Sequence, residues 1–84
     1  MFSLRFQLPI VLTTHARVRM DERSISMEEL LLVIDTGDTR YKDSAHLWVF
    51  KAIEGRVDNL VCAVLVLEDA VVVKTVMHRF TLEN

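Results

Sequence analysis

Residues 14–37 read T-H-A-R-V-R-M-D-E-R-S-I-S-M-E-E-L-L-L-V-I-D-T-G, and this stretch combines the chain's strongest helix signals with most of its polar chemistry. It divides into two helices joined by a tight corner. Thr13 or Thr14 can cap the first with a hydroxyl, and the helix should run to about Arg23. At about 100° per residue, Ala16, Met20 and Arg23 project from one side, while His15, Arg19 and Glu22 form a neighbouring polar stripe. Ser26 followed by Glu29 is a capping box that opens the second helix, and Gly37 is expected to end it as a left-handed cap. Met27, Leu30, Leu31 and Ile34 then form the apolar stripe that should cover one face of a sheet.

Upstream, Phe2, Leu4, Phe6 and Leu8 alternate with polar residues until Pro9 interrupts, which predicts an edge strand or strand-like arm over residues 1–9. Ile10 to Thr13 is a short apolar run leading into the first cap. Beyond Gly37 the period becomes two. Thr39 to Asp43 alternates, Ser44 and Ala45 mark a turn, and His46 to Ile53 sets His46, Trp48, Phe50 and Ala52 against Leu47, Val49, Lys51 and Ile53. A turn from Glu54 to Asn59 around Gly55 leads to Leu60–Leu67, apolar on both faces and so suited to the sheet centre. Glu68 and Asp69 permit a reversal into a last strand, Ala70 to Phe80, with Lys74 and His78 on one face and Thr75, Met77 and Arg79 on the other. The expectation is one α+β domain over residues 1–84, with two N-terminal helices packed on a four-stranded antiparallel meander and an extra N-terminal edge strand. Met20, Ile25, Leu30, Leu31, Ile34, Trp48, Val61, Val64 and Val73 should be among its buried residues.

Composition narrows the function classes. Hydrophobic residues make up 51% of the 84, and the mean hydropathy is +0.28, high for a small chain with so much surface. Some apolar surface should therefore meet another chain, most simply as a homodimer formed through the second sheet face, an open edge or the Phe2–Leu8 arm. Leu60 to Val73 is broken by Glu68 and Asp69 and falls short of the roughly 18 to 20 apolar residues of a membrane span. Ten basic against twelve acidic residues give a net charge of −2, so there is no global attraction to nucleic acid or anionic lipid. The first helix is basic through Arg17, Arg19 and Arg23, whereas the second carries Glu28, Glu29 and Asp35, which argues against sequence-specific DNA reading by a helix-turn-helix. A single cysteine excludes an internal disulfide and no secretory leader pattern opens the chain, so a cytoplasmic setting is expected. Cys62 reads as a packed small hydrophobe, and the three histidines lack metal-ligand spacing. Neither metal nor cofactor is expected.

His15-Ala16, Arg19-Met20, Arg23 and Ile25-Ser26 spell H-A-x-x-R-M-x-x-R-x-I-S, followed by an acidic-aliphatic helix, a glycine and strands. From about Ile10 onward this resembles the domain of unknown function 4258 family, regarded as related to RelE-like and BrnT-like toxins. The resemblance implies a RelE-like fold and a metal-independent endoribonuclease or RNA-binding activity, with RNA and an antitoxin-like protein as partners. RNA cleavage of that kind uses a base for the 2′-hydroxyl, cations for the pentavalent phosphate and an acid for the leaving oxygen. His15 and His78 are the candidate acid/base residues, and Arg19, Arg79 and Lys74 the candidate phosphate cations. Each also has a structural reading. His15 can bond a backbone group, Arg19 and Arg23 can pair with carboxylates or carbonyls, and Lys74, His78 and Arg79 can be solvated edge charges. The alternative function is a non-catalytic interaction module. One cleft holding His15, Arg19 and His78 would favour the enzyme; wide separation beside an apolar face would favour the module.

Overall fold

In the computed structural model, which describes residues 1–81, the chain is α+β with two helices against one six-stranded sheet. The elements are β1 (Phe2–Ser3), β2 (Leu8–Leu12), α1 (Thr14–Glu22), α2 (Met27–Thr36), β3 (Asp38–Tyr41), β4 (His46–Lys51), β5 (Val61–Leu67) and β6 (Val71–Met77). Their order in the sheet is β1-β2-β6-β5-β4-β3. The sheet is thus mixed, not a four-stranded antiparallel one. β3 to β6 pair antiparallel in succession, β2 joins β6 in parallel, and β1 pairs antiparallel with β2.

The N-terminal expectation is the one most altered. Phe2 to Leu8 is no continuous strand. It turns at residues 4–7, with Gln7 at φ 56, and returns as β2. Pro9 lies inside β2, opposite Phe2, and its missing N–H is harmless because the ladder to β6 starts one residue later, at Ile10. Ile10, Val11 and Leu12 are apolar on both faces, as a strand flanked on both sides requires. The returning turn closes over the end of α2. Asp35 accepts from Ser3 Oγ at 2.6 Å and from the Leu4 N–H at 3.3 Å, and Arg5 Nη1 donates to the carbonyls of Ile34 and Gly37.

Thr13 caps α1 by accepting from the Ala16 N–H at 3.1 Å, while its own hydroxyl donates to the Lys74 carbonyl. At the other end Ile25 N–H reaches the Met20 carbonyl and Ser24 N–H the Asp21 carbonyl, a Schellman closure that places Ser24 at φ 52. The left-handed residue of the corner is therefore Ser24. Gly37, expected in that role for α2, is extended at φ −73 and ψ 167. It is glycine for want of room. A Cβ there would stand 2.5 Å from the Val33 carbonyl oxygen and 2.8 Å from that of Phe50. The capping box of α2 is present in both directions, Ser26 to Glu29 and back.

The core lies between the helices and one sheet face. Ala16 and Met20 of α1 and Leu30, Val33 and Ile34 of α2 meet Leu47, Val49, Val61, Ala63, Leu65, Val71, Val73 and Val76. Met27 is exposed and Leu31 half-buried, so the stripe of α2 is rotated toward Val33. Trp48 and Val64, expected inside, sit half-buried on the face away from the helices. A bulge between Val64 and Leu65 pairs them with Thr75 and Val73 and leaves Lys74 extruded, so inward positions in β6 switch from Val71 and Val73 to Val76. No helix among the described residues is long and apolar enough to cross a membrane.

Candidate functional site

The exposed stripe of α1 forms as its spacing implies. Arg19 Nε donates to His15 Nε2 at 3.4 Å and Arg19 Nη1 to Glu22 Oε1 at 2.9 Å. These are i,i+4 and i,i+3 neighbours on one helix face, so the contacts are local. Arg23, one turn further on, points beneath the helix and donates to the Val76 carbonyl at 3.3 Å. It serves as a structural clamp.

His78 and Arg79 belong to a different cluster, centred on a residue for which the sequence offers no motif. Arg56, in the turn after β4, grips Asp58 with Nε and Nη2, each at 2.8 Å, and donates to the carbonyls of Arg23 and Ser24 at the end of α1. A guanidinium there satisfies orphan carbonyls and meets the negative end of the helix dipole. Its Nη1 also reaches the Glu29 carboxylate at 3.3 Å. Asp58 in turn holds His78, Nδ1 to Oδ2 at 2.8 Å, and its carbonyl accepts from the Arg79 N–H at 2.7 Å. Arg79 sits in the left-handed region at φ 54, with an exposed side chain. The Arg56 guanidinium, with the His78 ring second, holds the Asp58 carboxyl well below the usual range. The Ser26 N–H and then Arg56 do the same for Glu29 against the opposing effect of burial. Pairing with Asp58 pushes Arg56 itself up. With Nδ1–H donated to Asp58, the Nε2 of a half-exposed His78 is the atom available for acid/base work.

His15 lies near the start of α1 and the second cluster is tied to its end, with Arg19 and Glu22 carrying the α1 stripe along the helix between them. Its N-cap, Thr13, is bonded to Val73 and Lys74, whereas its C-terminal carbonyl is bonded through Arg56 and Asp58 to His78. The nine residues between are about 13 Å of helix. An acid and a base that act on one phosphate must both come within about 2.6 to 3.2 Å of its reacting oxygens, directly or through one water. The hydrogen bonds therefore give two pairs, His15 with Arg19 and His78 with Asp58, with Arg79 beside the second. Lys74 is exposed on the β6 bulge near the start of α1.

The third feature is the helix-free sheet face. Phe80 covers its lower part, its ring 5.4 Å from that of Phe50 and its N–H on the Leu60 carbonyl, so Phe50 and Cys62 are buried there. Burial pushes the Cys62 thiol up to about 12. Above Phe80 no element of the described residues covers the face. Trp48, Val64, Val66, Val72 and the half-exposed Val11 are neighbours across the strands, beside an open trough of about 650 Å³ edged by His46, Glu68 and Lys74. At the β3–β4 turn Asp43 accepts from the His46 ring and from the Ala45 and His46 N–H groups, which holds its carboxyl down to about 2. Among the described residues no three His, Cys, Asp or Glu side chains gather as a metal set.

No curated protein and no solved structure matches the chain. A family model does, over residues 12–78, and that span runs from the last residue of β2 through both helices to His78, so it contains the α1 stripe, Arg56 with Asp58 and His78, and the bare face apart from Val11. The chain therefore belongs to the family described as a domain of unknown function (DUF4258).

Proposed function

We propose that this chain is a non-catalytic protein-interaction module that acts as a homodimer through the parts of its sheet, the second face or an open edge, that the helices leave uncovered. The observation that carries the reading is the row of half-buried apolar side chains, Trp48, Val64, Val66 and Val72, continuous across β4, β5 and β6 with no element of the described residues over it. Solvent contact of such a row is unfavourable at about 25 cal/mol per Å² of apolar area, and a protein seated on it removes that contact. The hydrogen bonds tie His15 to Arg19 and His78 to Asp58 and join neither histidine to the other, which supports the same reading. Sedimentation across a wide concentration range should show a monomer–dimer equilibrium. A clean monomer at the highest concentration overturns the proposal.

A second reading, a RelE- or BrnT-like RNA-binding or metal-independent endoribonuclease domain, is favoured by one feature. His78 is oriented by Asp58 and stands next to Arg79, whose left-handed backbone aims a cation outward from the same turn. In that reading His78 Nε2 exchanges the proton of the 2′-hydroxyl or leaving oxygen, Arg79 steadies the phosphate, and Arg19 with His15 meets the RNA backbone further along α1. Single-stranded RNA should then be cleaved in EDTA, with binding that weakens as salt rises. His78→Ala should lower cleavage about 10²- to 10⁴-fold. Wild-type protein that neither binds nor cleaves RNA at low salt would dismiss it.

A further inference from the structure

The two edges of the sheet differ. The β1 edge is closed by the chain itself, because Ser3, Leu4 and Arg5 turn onto Asp35 of α2. Among the described residues the β3 edge has no such cover, and every residue of Asp38–Tyr41 is exposed. Lys42 N–H bonds the His46 carbonyl at 2.8 Å in the same register as Arg40 opposite Trp48 and Asp38 opposite Phe50. Residues 38, 40 and 42 thus turn their backbone groups toward β4, and the alternation of an antiparallel ladder turns those of Thr39 and Tyr41 outward. Gly37 ends the open stretch, since its N–H is given to Val33 and its carbonyl to Arg5.

Resting on the homodimer reading, we infer that the contact is this edge: a second copy adds antiparallel to β3 about a two-fold axis at Thr39, with Asp38 of each copy opposite Arg40 of the other. A two-fold axis normal to the sheet keeps each face on its own side, so directly opposed residues share a face and the centre falls on a residue. Centred on Asp38 or on Arg40, the pairing sets like charges face to face. Centred on Thr39, it forms two opposite-charge pairs and one Thr–Thr pair, both favourable across strands, and joins the outward N–H and C=O of Thr39 reciprocally. The sheet becomes continuous through both copies and their Trp48 faces merge on one side.

The test uses the whole chain in sedimentation, with a thermal melt of each variant to show that it is folded. Thr39→Pro removes only the outward N–H and leaves the β4 ladder intact, so it should weaken association by about tenfold or more while the variant still melts cooperatively as a folded chain. Arg40→Asp should also abolish the dimer, and Asp38→Arg combined with Arg40→Asp should restore it, because the exchanged charges meet again only in this register. A wild-type dimer indifferent to Thr39→Pro overturns the edge and leaves the homodimer reading standing. Loss with Thr39→Pro but no restoration by the double exchange overturns the register. A wild-type protein that stays monomeric defeats the homodimer reading itself.

Discussion

Gly37 offers a perturbation whose sign depends on why glycine is there. At φ −73 the backbone is open to any residue, so Gly37→Ala would ordinarily stabilise by about 0.4 to 1 kcal/mol through the unfolded chain. The surroundings oppose this. The added Cβ meets the Val33 oxygen at 2.5 Å, the Phe50 oxygen at 2.8 Å and Val49 Cγ1 at 2.9 Å, and two of these atoms are backbone, one in the last turn of α2 and one in β4. Neither can swing aside without moving an element, and overpacking of that kind costs about 1 to 3 kcal/mol. The net expectation is a loss of roughly 1 to 2 kcal/mol, which for a domain of this size lowers Tm by about 4 to 16 °C. Gly37→Asn separates the causes in the same melt. At a left-handed cap Asn is tolerated better than Ala, whereas at a close approach the larger side chain is worse. An Asn variant as stable as the Ala variant, or an Ala variant more stable than wild type, would refute the close-approach account.

Ser24 is the converse case: at φ 52 in the Schellman corner, Ser24→Gly should raise stability by about 0.5 to 1 kcal/mol, seen as a higher denaturant midpoint at unchanged slope. Asp58 and Glu29 have folded pKa values lowered below their ordinary 3.8 and 4.5, so their stabilisation is complete above that range and is lost as pH falls through it. Tm should therefore drop between about pH 5 and pH 2, and Arg56→Met, which removes one partner of each carboxylate and leaves the Ser26 N–H to Glu29 and the His78 ring to Asp58, should flatten part of that drop; an unchanged slope would show that Arg56 does not hold them. Cys62, buried and with its thiol pushed up to about 12, should react with a thiol reagent at pH 8 only at the rate of unfolding, and denaturant should release the full thiol signal.

Apart from the Gly37 cap, signals confined to one helical turn could be read from residues alone. The Thr13 cap, the Ser26–Glu29 box, the Ala16–Met20 side and the His15–Arg19–Glu22 stripe all stand where their spacing puts them. Strand faces could not be read in the same way. Alternation divides β4 into a Trp48 set and a Leu47 set, yet both are apolar, and only the partner across the interior decides which is inside. In β6 the alternation itself fails, because the Lys74 bulge reverses it midway. Pro9 is a donor missing from a strand whose ladder begins one residue later, a distinction of register that composition does not carry.

The candidate site divides along the same line of range. His15 and Arg19 meet because four residues make one helical turn, but the partners of His78 come from 20 and 22 residues away, through Asp58 and, behind it, Arg56. Nothing near His78 in the chain announces a carboxylate. What could have been noticed is Arg56-Val57-Asp58 inside the Gly55 turn, two opposite charges two residues apart between strongly apolar strands. Such a pair either faces water or is drawn under the fold, and here the exposed member is Val57, at 97%, while Arg56 turns inward to four carbonyl and carboxylate partners. The inversion of an exposed valine and an inward arginine follows from the end of α1. Its orphan carbonyls at Arg23 and Ser24 need donors, a guanidinium supplies several at once, and the carboxylates of Asp58 and Glu29 offset the charge that comes with it. His78 is then fixed by what remains of Asp58. Whether it acts on RNA or only closes this network, its orientation is a consequence of how α1 ends.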